Sequence, residues 1–247
     1  CLVGSEMCIR DSVFVLACAL LVAGCSAVPP NSDMPEAVPS TGLPSTCTPS
    51  AANPPMDYTL YGGDILRVGS QGYEKCRINA DTAQKYAGLI SDAADALAGE
   101  TQVYCLIIPT SYGILLPDEV KARLSDYEDT EACISEVYAA LSENAKPVRV
   151  WDKLKAHSDE FIYFRTDLHW TARGAYLGYE AFCNAKGIAP IPLEAHRSVN
   201  FEGFFGTFYS ESGGDEKFSP AETIEAFYPV SDGVTLTVTD ADDNTTD

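Results

Sequence analysis

Asp167 and His169 stand two residues apart, separated by Leu168 and followed by Trp170. A carboxylate and an imidazole at this spacing admit three readings. In the first, His169 is a general base that takes a proton from a serine hydroxyl, while Asp167 orients the ring and supports the imidazolium. In the second, both side chains are metal ligands, although no third His or Cys converges on them in the sequence. In the third, Asp167 caps a helix and His169 packs against Trp170. Residue types alone favour the third and exclude none.

The elements around the pair decide how it is presented. Phe161-Ile162-Tyr163-Phe164 is an apolar run long enough for one buried strand, and it ends in Arg165-Thr166-Asp167. Thr171 is an N-cap residue, and the pattern after it predicts a helix as far as Gly187. Open α/β sheets hold their chemistry at such junctions, at the carboxyl ends of strands.

Upstream, residues 58–68 predict a hairpin or edge strand turning at Gly62-Gly63-Asp64. Gly69-Ser70-Gln71-Gly72 lacks the Lys-Ser/Thr of a phosphate loop. Asn79 or Asp81 caps a helix with the stripe Tyr86, Leu89, Ile90, Ala93 and Leu97, closed by Gly99. Residues 101–108 read as a buried strand broken by Pro109-Thr110-Ser111, with no helix after Ser111. A helix over 129–142, a strand over 148–150 and a helical turn through Leu154 complete a βα alternation, which predicts a parallel sheet with crossovers. Beyond Gly187 the chain reads as an extended stretch, an aromatic and glycine-rich loop over 200–214, and strands over 223–230 and 234–238.

With 36 acidic against 16 basic residues the formal charge is -20, so the chain lacks the cationic surface that nucleic acid requires. The nine cysteines contain no C-x-x-C, and His157, His169 and His196 do not complete a Cys/His ligand set. Cys105, Cys133 and Cys183 lie in apolar stretches and read as buried thiols, while Cys47 and Cys76 are undecided. Neither a metal nor a cofactor is expected.

The amino-terminal part divides into segments. Residues 1–12 lack a basic n-region and are expected to be a non-native sequence artefact. Residues 13–24 hold an apolar run too short to span a bilayer and suited to a signal peptide. With Leu21-Val22-Ala23-Gly24-Cys25 they resemble a lipobox, which implies that Cys25 is acylated and anchors the mature chain to the lipid bilayer. Residues 25–56, with eight prolines, read as an extended tether, and the folded domain is expected over 57–247. The expected location is the extracytoplasmic face of the cell membrane.

The stretch Tyr163-Phe164-Arg165-Thr166-Asp167-Leu168-His169-Trp170-Thr171-Ala172-Arg173-Gly174-Ala175-Tyr176 resembles the signature of the DHHW protein family, related to the SGNH-hydrolase-like alginate O-acetylation proteins. Three further segments resemble the family: Tyr104 to Ser111, Trp151 to Arg165, and Phe205-Gly206-Thr207-Phe208-Tyr209-Ser210 with Ser212-Gly213. Leu168 departs from the second His of the family name. The resemblance implies an SGNH-hydrolase-like, flavodoxin-like three-layer α/β/α fold, incomplete at its carboxyl end. It implies catalytic roles for Asp167 and His169, with a serine nucleophile expected beyond residue 247, so that this chain by itself is expected to be inactive. Arg165, Trp170 and Tyr209 are candidates for lining the substrate, and Ser111, Ser210 and Ser212 are the hydroxyls at hand. The implied function is that of an extracytoplasmic lipoprotein handling O-acyl, chiefly acetyl, esters on a cell-envelope polysaccharide. The alternative is a non-catalytic surface lipoprotein binding glycan or a partner protein.

Overall fold

The computed structural model describes residues 58–76, 79–230, 238–239 and 245–246. The expected leader, Cys25, Cys47 and tether lie outside the described residues, as does most of the strand expected at 234–238. Among the described residues no helix is long and apolar enough to cross a membrane.

The core is built on β4 (Val103–Leu106) and β5 (Ala145–Val148), which pair in parallel with Val103 opposite Ala145 and Leu106 opposite Val148. Alternate side chains of a strand point to opposite faces, and both faces of β4 are covered. Cys105, with Ile107 just beyond the strand, packs with Ala83 and Ala87 of α1 (Ala80–Ala96) and with Ile134 and Val137 of α4 (Thr130–Ala139). Tyr104 and Leu106 lie against Leu154 of α5 (Trp151–Ala156) and Leu177 and Ala181 of α6 (Ala172–Lys186). Leu154 is fully buried, a burial that stabilises by about 1.5–3 kcal/mol. Helices on both sides of a parallel pair explain why the strands read as apolar runs.

Local sequence signals placed most helix ends. Asn79 caps α1 by accepting from Thr82 N at 2.8 Å, and Asp129 caps α4. The expected stripe of α1 is displaced, however. Leu89 is 70% exposed, and the buried face is Ala83, Ala87 and Ala94. Small side chains let α1 approach α4 closely, so the helix turns its alanines inward. β5 begins three residues before the strand expected at 148–150. Residues 111–115, expected as non-helical, form α2 (Ser111–Leu115), followed by α3 (Asp118–Lys121).

Two antiparallel units flank this core. β1 (Tyr58–Tyr61), β2 (Ile65–Val68) and β3 (Gln71–Glu74) form a meander, turning at Gly62 and Gly63 and again at Gly69, all with positive φ. β6 (Ser198–Phe204) pairs with β7 (Glu222–Phe227), so the first part of the expected 200–214 loop is strand; α7 (Thr207–Glu211) follows it. Short β8 (Val238–Thr239) and β9 (Thr245–Thr246) also pair. Buried Arg67 and Tyr61 of the meander both reach Asp215, tying the segment after α7 to β1 and β2. The architecture is a mixed α/β fold.

Candidate active site

The segment expected to be a strand at 161–165 is not one. Its only ladder contact is a bridge between Tyr163 and Trp170. Phe164 N donates to His169 O at 3.2 Å and Thr171 N to Ile162 O at 2.9 Å, so the chain doubles back on itself and presents residues 165–169 as the tip of a tight loop. Thr171 then caps α6 through Gly174 N, and Gly187 closes the helix with φ 76, as the sequence indicated.

Four partners hold the loop. Helix α6 offers glycines one turn apart: a Cβ on Gly174 would lie 2.3 Å from Ile162 O, and one on Gly178 would lie 2.7 Å from the Trp170 ring. The meander contributes Gly72 N, which donates to Arg165 O at 2.8 Å. The first turn of α7 has backbone amides without helical partners. Two of them, Phe208 N and Tyr209 N, donate to Thr166 O. From β7, the buried Glu222 carboxylate accepts Arg165 N at 2.7 Å and Thr166 N at 2.8 Å.

At the tip, Asp167 Oδ1 accepts the His169 backbone N–H at 3.0 Å and faces His169 Nδ1 at 2.6 Å. Its other oxygen accepts Thr207 N at 2.8 Å. The Asp167 side chain is 9% exposed and that of His169 is 54% exposed. Burial pushes the Asp167 carboxyl up, but hydrogen bonds from Thr207 and His169 outweigh it, and the net pKa lies below the ordinary value. An ionised carboxylate only accepts, so the proton in this contact belongs to Nδ1. In the neutral ring, Nε2 then carries the lone pair. A carboxylate fixing the tautomer of an imidazole is an acid–base pair suited to deprotonating a hydroxyl.

A family model for the DHHW protein matches residues 50–246. The chain belongs to the DHHW family. A solved structure of a DHHW family protein from Eubacterium siraeum is similar with a TM-score of 0.62 at 22% identity, over 70% of this chain and 56% of that one. PatB1 of Bacillus cereus, in a structure with a sulfonyl adduct, is similar with a TM-score of 0.59 at 16% identity, over 77% of this chain and 64% of that one. This DHHW chain thus spans less than two thirds of the length of either structure, and at these identities the likeness establishes a shared fold. No curated protein matches it.

Within the DHHW domain the other candidate residues fall in distinct places. Arg165 lies 3.6 Å from Glu222 through Nε and donates to Pro220 O at 2.9 Å, beside an open groove of about 510 Å³ that Phe161, Asn200 and Thr223 also line. Trp170 packs over Gly178, and Tyr209 stacks on Phe205 at 4.2 Å between ring centroids. Tyr163 is buried and donates to Pro109 O at 2.6 Å. The hydroxyls of Ser111, Ser210 and Ser212 donate to backbone carbonyls of Gly72, Gly206 and Tyr209. Leu168, in place of the family's second His, packs toward Ile65, Phe208 and Phe218. Among the described residues no group of three or more His, Cys, Asp or Glu gathers as metal ligands.

Sequence reading missed Glu222, which stands 55 residues beyond Asp167 with no motif around it. Gly206 lies in the Phe205–Ser210 motif, but nothing local marks it as the residue against which Asp167 packs. A Cβ there would lie 2.3 Å from Asp167 Cβ.

Proposed function

We propose that this domain is the acid–base part of an extracytoplasmic enzyme that hydrolyses or transfers O-acyl, chiefly acetyl, esters on a cell-envelope glycan. The observation that carries the reading is the 2.6 Å contact between a buried, ionised Asp167 and a half-exposed His169. His169 Nε2 takes the proton of a serine hydroxyl, expected beyond residue 247, as that oxygen bonds to the acyl carbonyl carbon. The tetrahedral intermediate collapses, the bond to the departing oxygen breaks, and that oxygen receives the proton from the imidazolium. Water or a second glycan hydroxyl then releases the acyl group by the same proton path in reverse. Asp167 stays ionised throughout, and no cofactor enters.

Helices on both faces of β4 support a flavodoxin-like three-layer arrangement around a larger parallel sheet in the whole protein. The lipobox-like Cys25 supports anchoring of the enzyme to the bilayer by acyl chains, with residues 26–56 as tether. The glycan substrate class rests on the family's kinship with O-acetylation proteins.

The test uses the complete natural protein and an acetylated glycan or a simple acetyl ester. His169→Ala is expected to abolish acetate release and to prevent covalent labelling by a sulfonyl fluoride, which would leave a sulfonyl adduct like the one named for the PatB1 structure. Turnover that persists in His169→Ala would refute His169 as the base, and a wild-type protein that releases no acetate would leave the non-catalytic glycan-binding reading in its place.

A further inference from the structure

The Asp167–His169 pair does not aim itself. Thr166 is fully buried immediately before it, and every polar group of Thr166 is engaged with a distant segment. Its backbone N–H and its hydroxyl both donate to Glu222 Oε2. The same hydroxyl oxygen accepts Gly206 N at 3.0 Å. Its carbonyl accepts Phe208 N at 2.9 Å and Tyr209 N at 3.3 Å. The next amide in this row, Thr207 N, is the one that holds Asp167 Oδ2. Thus one side chain from β7 fixes the amides of Arg165 and Thr166, and the Thr166 hydroxyl passes that constraint to the turn that grips Asp167.

We propose that Glu222 and Thr166 are positioning residues, a two-step relay that sets the orientation of Asp167 and through it the tautomer and aim of His169; as a device for catalysis it rests on the acyl-transfer reading above. The chemistry of the groups explains why a carboxylate is needed at 222. Both of its oxygens accept from backbone N–H groups, at 2.7 and 2.8 Å. Glutamine has one acceptor and one donor at that end, so Glu222→Gln would set an NH₂ against an N–H. Thr166 must donate to Glu222 and accept from Gly206 at once, which a hydroxyl does and a methyl cannot.

The experiment compares Thr166→Val, Thr166→Ser and Glu222→Gln with His169→Ala in the complete protein. Two measurements are made: steady-state kinetics on an acetyl ester, and the ring-nitrogen NMR spectrum of isotope-labelled histidine, in which His169 is assigned as the signals lost in His169→Ala. Thr166→Val has nearly the same volume, and it is expected to lower kcat about tenfold to a hundredfold with KM little changed, because two buried hydrogen bonds are lost, the one to Glu222 and the one from Gly206. The Nδ1-protonated signature of His169 should weaken in Thr166→Val and Glu222→Gln, and Thr166→Ser should restore both kcat and the signature. A His169 signature identical to wild type in folded Thr166→Val would overturn the relay, as would a Thr166→Ser variant as impaired as Thr166→Val. If His169→Ala retains turnover, the acyl-transfer reading falls, while the ring-nitrogen spectra still decide whether the relay positions His169.

Discussion

Two histidine–carboxylate pairs stand only a few residues apart among the described residues, and both have a nitrogen–oxygen distance of 2.6 Å. His157 and Glu160 sit after α5, one turn apart, with side chains 38% and 53% exposed. His169 and Asp167 sit at the tip of the site loop, and there the carboxylate is 9% exposed and accepts three N–H groups in all. Distance therefore does not distinguish a site from a surface ion pair. What distinguishes them is that Asp167 is buried and its second oxygen is held by Thr207 N, a donor from elsewhere in the chain that cannot reorganise when His169 takes up or releases a proton. Glu160 keeps 53% of its side-chain surface exposed.

Removing the charge from the framed pair is expected to have the largest effect. In Asp167→Asn the amide NH₂ must face one of the N–H groups that the carboxylate accepts, and the imidazole loses the partner that fixes its tautomer. Turnover in the complete protein is expected to fall about 10⁴-fold, as when a triad aspartate is neutralised elsewhere. The same variant tests the pKa direction. Because the Asp167 carboxyl lies below its ordinary value of 3.8 in the folded state, its contribution to stability is complete above that value. The contribution is lost as pH falls through the depressed folded pKa. The urea-unfolding gap between wild type and Asp167→Asn should be constant near neutral pH and close in acid; a gap that widens in acid would refute the assignment.

Gly206→Ala tests the frame without touching a charge. Gly206 has φ -97, which alanine adopts without strain, so any effect is steric. The new methyl would stand 2.3 Å from Asp167 Cβ and 2.5 Å from Oδ2, and Asp167 must yield. Overpacking of this kind costs about 1–3 kcal/mol in stability, and a displacement near 1 Å at the reacting groups costs about 100-fold in rate. Gly88→Ala, at an exposed glycine of α1 with no atom within 4 Å of the added Cβ, serves as a contrast for rate. Equal turnover in the two variants would mean that the α7 turn does not constrain Asp167.

The same contrast explains what the sequence made legible. Features set by neighbours in the chain were readable: the caps at Asn79, Asp129 and Thr171, the closing Gly187, the turn at Gly62-Gly63, and the apolar runs of β4 and α4. So were Asp167 and His169, which touch across two residues. Features set by contacts distant in sequence were not. The 161–165 run has a strand's composition, yet it folds back because Glu222, Gly72 and the α7 turn take up its backbone groups. Leu89 fits a helical stripe by period, but α4 selects the alanine face of α1. Nothing near Glu222 in sequence announces a carboxylate destined for the interior, because its partners lie more than fifty residues upstream.

The smallest effect is expected at the surface pair, and it is the one that fixes the meaning of the others. His157→Ala removes a contact as short as the one at the site, from a pair whose two members keep 38% and 53% of their side-chain surface in water. Exposed ion pairs contribute about 0–1 kcal/mol, because water solvates either partner when the other is lost and salt screens what remains. Stability should therefore change by no more than about 1 kcal/mol, and turnover not at all. A double-mutant cycle over His157 and Glu160 should give a coupling that shrinks as salt is raised, whereas a cycle over Asp167 and His169 should keep its coupling, since the carboxylate there is shielded from solvent ions. If the two couplings proved equal and equally salt-sensitive, burial and the donors of the α7 turn would contribute nothing, and a short His–carboxylate distance alone would account for the pair at the site.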